Sequence, residues 1–349
     1  MKEQKNNVVI GVINWDCSLP RDTFFGSFIS KTLSPAEYRE RVPYYADRLE
    51  DGTIAFHRRT LQEYEKEMQY AIDAGIHYFA YCWYGADSKK QTERLTDGPG
   101  SLVDDYVNEL TFARKLHVQS SLKRQLKLCG ILSVSHPYTD EELTELAEHM
   151  KQEYYQTVDE RPLVYIFSDV KLVSIIARLR EICMRVGTKK PYIALLTDES
   201  RLPKELSELL DGVSGYSCPK GNITTYAELT DAVITANSNR AQCGLDVIPH
   251  FSVGWNPKPR ITNPVPWYPY EYVEYVDKIT KEEYLEAAQR FADWISNHRE
   301  QIHNNHILTY AWNEFEEGGY ICPTFRADGS VNTSMLDVFA QMIGKWNEV

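Results

Sequence analysis

Long apolar stretches are missing from this chain. No run of about 18 apolar residues occurs, so no membrane-spanning helix is expected. The first residues, MKEQKNNVVIGVINWD, pass from a polar stub into a strand. They have neither the apolar core nor the small-residue cleavage site of a signal peptide. The expectation is therefore a cytoplasmic protein, or a periplasmic or secreted one if a leader has been removed. The seven cysteines are odd in number and form no CxxC pair, which argues against a disulfide framework or a zinc site and for buried free thiols. HxH, HExxH and a paired-Asp ligand set at a strand end are absent, so no metal and no cofactor are expected. GxGxxG does not follow the first strand, and neither GxxxxGK[ST] nor DxD occurs. Positive charge is the scarcer sign. With 38 Lys and Arg against 50 Asp and Glu, the 349 residues carry a formal charge of −12, which disfavours nucleic acid or an anionic membrane as partner.

What the chain does have is tyrosine and tryptophan, 23 and 7 residues beside 12 phenylalanines. Both combine an apolar face with a polar tip, which suits the C–H faces and hydroxyl rims of sugars. It also has a steady alternation of strand and helix. Apolar runs at 8–15, 77–84, 127–134, 163–169, 192–198, 212–218, 246–254 and 306–313 read as strands. Segments 60–75, 100–116, 139–152, 170–187, 203–210, 225–242, 280–300 and 334–346 read as helices between and after them. Gly75 is placed to end the first of these, and Thr139 with Glu142 forms a capping-box pattern. Strands that are near-continuously apolar are covered on both faces, and strict β-then-α order implies a parallel sheet. Eight such units close into a (β/α)8 barrel of the TIM type, here one catalytic domain over residues 1–349 with long βα loops. The stretch after the first strand reads as irregular, and the one after the seventh as a proline-rich loop.

In a barrel the active site forms where strands end at the C-terminal face. The densest cluster is TYAWNEFEEGGY, 309–320. Glu314 stands at the tip of the last strand, Glu317 three residues on, and Gly318-Gly319 lets the chain turn back. Two carboxyl groups are what glycoside cleavage needs: one protonates the leaving oxygen, the other supplies negative charge or removes a proton. Glu316 reads as a spare carboxylate, expected to tolerate Gln with little loss. Around the catalytic pair Glu314 and Glu317, the substrate-binding candidates are Asn14 and Trp15 after the first strand, and Tyr81, Trp83 and Tyr84 after the second. His136 follows the third, Trp255, Asn256 and Arg260 the seventh, and Trp312 and Asn313 the eighth. Arg58, Arg59 and Arg260 are the obvious basic groups on these loops.

The segment AWNEFEEGGYICPT resembles the AWNEWAEG-x-x-LEP signature of WbsX-like proteins, which are related to glycoside hydrolase family 99. GIHYFAYCWYG, RPLVYIFSD and IPHFSVGWNPKPR resemble further segments of that family in the same order, so the likeness runs from about residue 60 to 325. Phe315, Asn256 and Cys322 depart from the pattern. The resemblance implies a (β/α)8 barrel and a retaining, endo-acting glycosidase on an oligo- or polysaccharide. It also implies roles: Glu314 assists the substrate's own 2-hydroxyl as internal nucleophile, and Glu317 is general acid and then base. On that reading Glu317 should hold a raised pKa and Glu314 stay ionised. A glycosyltransferase of polysaccharide synthesis, as WbsX-like proteins are often labelled, and a non-catalytic glycan-binding barrel are the alternatives.

Overall fold

A computed structural model describes residues 7–84, 110–133, 138–167, 172–217, 223–267, 270 and 274–348. Strand β1 (Val9–Asn14) runs parallel to β2 (Tyr78–Trp83), and the ladder continues through β3 (Lys127–Leu132), β4 (Arg161–Phe167), β5 (Tyr192–Leu196) and β6 (Gly212–Ser214). The seventh strand is in two pieces. Asp246–Val247 pairs with β6, and His250–Ser252 pairs with β8 (His306–Tyr310), which returns to β1. Between the pieces lies Pro249, which has no N–H to give to a ladder. Ile248 N–H donates to the Val213 carbonyl at 2.9 Å, and the Pro249 carbonyl accepts from Leu308 at 2.9 Å. The strand therefore turns from one neighbour to the other, and the eight parallel strands close into a barrel.

Ten helices are described: α1 (Phe24–Leu33), α2 (Leu61–Asp73), α3 (Phe112–Gln119), α4 (Asp140–His149), α5 (Leu172–Val186), α6 (Lys204–Ser207), α7 (Tyr226–Arg240), α8 (Lys258–Thr262), α9 (Lys281–Asn297) and α10 (Ser334–Trp346). Four of them, α2, α4, α7 and α9, begin with a complete capping box in which Thr and the Glu three residues on satisfy each other's backbone N–H. Gly75 follows α2 with φ +83°, as its position suggested. Helices α1 and α8 were not expected. They lie in the stretches after β1 and β7 that read as irregular, and α8 opens with proline in its first turn. Among the described residues no helix is long and apolar enough to cross a membrane.

Strand residues alternate between the barrel interior and the helix layer. Tyr78 faces inward, where its hydroxyl meets that of Tyr165 at 2.8 Å. It lies against Gly11, where an added Cβ would sit 2.0 Å from the Tyr78 ring. Phe251 faces outward, onto Phe291 of α9 and Trp346 of α10.

Candidate active site

The chain leaves β8 at Tyr310 and forms a short antiparallel pair, Asn313–Glu314 with Gly319–Tyr320. A single 3-10 turn, Phe315–Glu317, closes that pair, and Gly318 ends the turn in the left-handed region at φ +72°. The loop after β7 packs on this turn backbone to backbone. Asn256 N–H donates to the Glu317 carbonyl at 2.5 Å. An added Cβ on Gly254 would sit 2.4 Å from the Gly318 carbonyl oxygen, so only glycine permits the approach.

That packing sets Arg260, on α8, beneath three glutamates. Its Nη1 donates to Glu317 Oε1, and its Nη2 donates to Glu314 Oε2 at 3.2 Å and lies 3.6 Å from Glu316 Oε2. Glu317 is held further: the Tyr270 hydroxyl donates to Oε1 and the Tyr310 hydroxyl to Oε2. All four charged groups are buried, and Glu317 is the most open, with 11% of its side chain exposed. Burial pushes the Glu314 carboxyl well above the usual carboxylate range. The negative charge of Glu317 adds to this, and Arg260 only partly opposes it. Burial likewise carries Glu316 to about 7, against the pull of Arg260. Among the described residues, neither carboxyl oxygen of Glu316 has a hydrogen-bond partner. Glu316 is thus a buried carboxyl beside a buried cation.

Aromatic rings wall this cluster. The Arg260 guanidinium carbon lies 5.3 Å from the Trp15 ring centre and 6.0 Å from that of Trp267. Trp255 sits 6.2 Å from both Tyr270 and Tyr310, and Tyr310 is 5.8 Å from Tyr216. The Tyr216 hydroxyl meets the Cys82 thiol at 3.3 Å.

Known structures share this barrel. A GH99 endo-alpha-mannosidase from Bacteroides thetaiotaomicron, in complex with BIS-TRIS-Propane, aligns over 97% of both chains at 14% identity with a TM-score of 0.57. Another structure of the GH99 endo-alpha-mannosidase from that organism aligns over 84% of this chain and 82% of its own, at 16% identity and a TM-score of 0.55. At such identities the likeness is one of fold. No protein-family model matches the chain, and no curated protein matches it in sequence.

The other expected site residues divide. Trp15, Trp255 and Arg260 gather with Glu314 and Glu317, and half-buried Tyr84 follows β2 close to Tyr216. Tyr81 and Trp83 do not join them. They point into the helix layer, Tyr81 onto the Tyr64 hydroxyl and His117, and Trp83 under the Arg114 guanidinium at 3.5 Å. Trp312 also faces outward. Its indole N–H donates to Glu67 of α2 at 2.7 Å, and its ring packs on Phe79. Asn313 is structural: it accepts from Trp15 N–H at 3.0 Å and donates to the Asn14 amide oxygen at 3.1 Å, tying β8 to β1. Asn256 is similarly engaged, donating to the Val276 carbonyl and accepting from Lys258 N–H. His136 lies outside the described residues. Sequence reasoning missed Tyr270, Tyr310 and Tyr216. It also missed a buried chain in which Arg59 bridges Asp16 and Glu67, so that Glu67 links that pair to Trp312.

Proposed function

We propose that this chain is a glycoside hydrolase that cleaves a glycan with Glu314 and Glu317 as its acid/base pair. The observation that carries the reading is the pairing of these carboxyls on one guanidinium at the barrel mouth, the burial of one favouring its acid form and the other ringed by donors. A single guanidinium spans only a short gap, which favours the close carboxyl spacing of retaining enzymes, roughly 5–5.5 Å. Glu314, whose burial favours the acid form, protonates the leaving oxygen. Glu317, accepting from Tyr270 and Tyr310, is the carboxylate that attacks, or that draws the proton from a substrate 2-hydroxyl acting as internal nucleophile. These roles are the reverse of those the family resemblance implies. The aromatic wall of Trp15, Trp255 and Tyr216 offers faces for sugar C–H groups.

A glycosyltransferase would need cationic groups for a nucleotide diphosphate. Arg59 and Arg260 are instead both paired with buried carboxylates. A panel of aryl glycosides and polysaccharides, run beside nucleotide-sugar donors, tests the proposal. Glycan hydrolysis with net retention of anomeric configuration, read by NMR of the first-formed product, is expected. Turnover of nucleotide sugars with none of glycans would defeat it.

A further inference from the structure

Arg260 bridges Glu314 and Glu317, and that bridge conflicts with catalysis. A guanidinium shared by two carboxyls offsets their charge and occupies, by hydrogen bonds, Glu317 Oε1 and Glu314 Oε2, oxygens that the substrate needs. For chemistry to proceed it has to move while its charge stays compensated, because an unpaired buried cation is costly. Glu316 offers the place. Its Oε2 is already 3.6 Å from Arg260 Nη2. Both its oxygens are buried and, among the described residues, have no hydrogen-bond partner, and the same holds for Arg260 Nε–H. The rings of Trp15 and Trp267 flank the guanidinium at 5.3 Å and 6.0 Å, surfaces that keep a cation favourably placed as it shifts.

We propose that Glu316 is a positioning residue that takes Arg260 when substrate enters, freeing Glu314 and Glu317 for the glycosidic bond. In the resting protein Arg260 closes the gap between the pair. In the complex its guanidinium rests on Glu316, its Nε–H and an Nη–H meeting the two free oxygens as a fork. Glu317 keeps Tyr270 and Tyr310 as donors, and Glu314 loses the one cation that drew its proton away. The inference rests on the hydrolase reading above.

Because the substrate must select the open arrangement, the fraction of protein in that arrangement scales the apparent affinity. Glu316→Gln removes the charge that receives Arg260. It is expected to raise KM on the order of tenfold or more, at about 1.4 kcal/mol per factor of ten, with kcat at saturation changed far less. The shift should be the same for activated and unactivated leaving groups, and Glu316→Asp should recover part of it. A purely structural Glu316 would change the melting temperature and leave KM alone. The companion measurement uses the unaltered protein, which removes any question of folding. A structure with an iminosugar of the sugar that the hydrolysis panel identifies should show Arg260 hydrogen-bonded to Glu316 and parted from Glu314. Unchanged KM in Glu316→Gln, or a guanidinium still bridging Glu314 and Glu317 beside the bound iminosugar, overturns this inference alone. Absence of glycan turnover by the unaltered protein removes the proposed function and this inference with it.

Discussion

At the scale of single residues, proton holding and proton accepting are divided by surroundings rather than by residue type. Glu314 and Glu317 have the same side chain, but burial and a like-charged neighbour favour the acid form of Glu314, whereas three donors converge on Glu317. Loss of a catalytic carboxylate generally lowers rate by roughly 100-fold to 10,000-fold. Glu314→Gln should therefore cripple hydrolysis of glycosides with poor leaving groups and largely spare activated aryl glycosides, whose departure needs little protonation. Glu317→Gln should slow both. Steady-state rates over a leaving-group series decide it, and the opposite pattern would restore the roles implied by the family resemblance. Glu316 supplies a separate, thermodynamic signal. Its carboxyl titrates at about 7 in the folded protein against 4.5 when free. Between these values the folded form holds a proton that the unfolded form has released, so stability is greatest at the acid end. It declines as pH rises to about 7 and is flat above. The size is on the order of 3 kcal/mol for this group. Thermal melts of Glu316→Gln should lack that share of the decline and lie above the unaltered protein at pH 8. Parallel melting curves across the range would exclude it.

Elements hold these side chains in register, and the turn after β8 does so through backbone contact. Gly318 combines φ +72° with a position where an added Cβ would lie 2.9 Å from Asn256 N. Gly329 has φ +86° with nothing within 4 Å of the same Cβ. The left-handed region alone costs a non-glycine residue about 1–2 kcal/mol, so Gly329→Ala should lose about that much stability and no activity. Gly318→Ala should lose more, and activity with it, because the Asn256 backbone that seats Arg260 must shift. Equal effects of the two substitutions on denaturant midpoints and rate would show that the close approach is unimportant. The strands themselves were legible in the sequence as apolar runs, and the capping box of Thr139 and Glu142 as a spacing. Which strand-end residues face the mouth was not. In a sheet with one wet face, alternation of polar and apolar residues reveals the pleat, but a barrel strand is apolar on both sides. In YCWY the inward Cys82 and Tyr84 look no different from the outward Tyr81 and Trp83. Arg260 was legible only as a basic residue on a loop. Its partners come from the turn after the last strand, more than fifty residues on, and the two meet because the barrel closes.

At the scale of the whole molecule, the chain keeps a surplus of negative charge. It carries −12 overall, whereas at the mouth of the barrel Arg260 offsets Glu317 and burial favours the acid forms of Glu314 and Glu316. Low-dielectric walls focus such a field into the entrance, where it acts on any charged ligand before contact is made. A neutral glycan is indifferent to that field. A glycan carrying uronic acids near the cleavage point must bring further negative charge up to it, and Arg260 cannot compensate, since its charge is already matched by the glutamates around it. Salt weakens the repulsion, because the screening length falls from about 30 Å at 0.01 M to about 10 Å at 0.1 M and about 3 Å at 1 M. We therefore expect neutral oligosaccharides to be hydrolysed with a higher kcat/KM than counterparts of the same linkage bearing uronic acid at the neighbouring position. The difference should shrink as salt rises from about 0.01 M to about 0.5 M, driven by improvement of the acidic substrate, while the neutral one stays level. The comparison needs only matched oligosaccharides and a reducing-end assay. A preference for the acidic substrate at low salt, weakening as salt is added, would mean that cationic groups govern entry, and would defeat this account of the mouth.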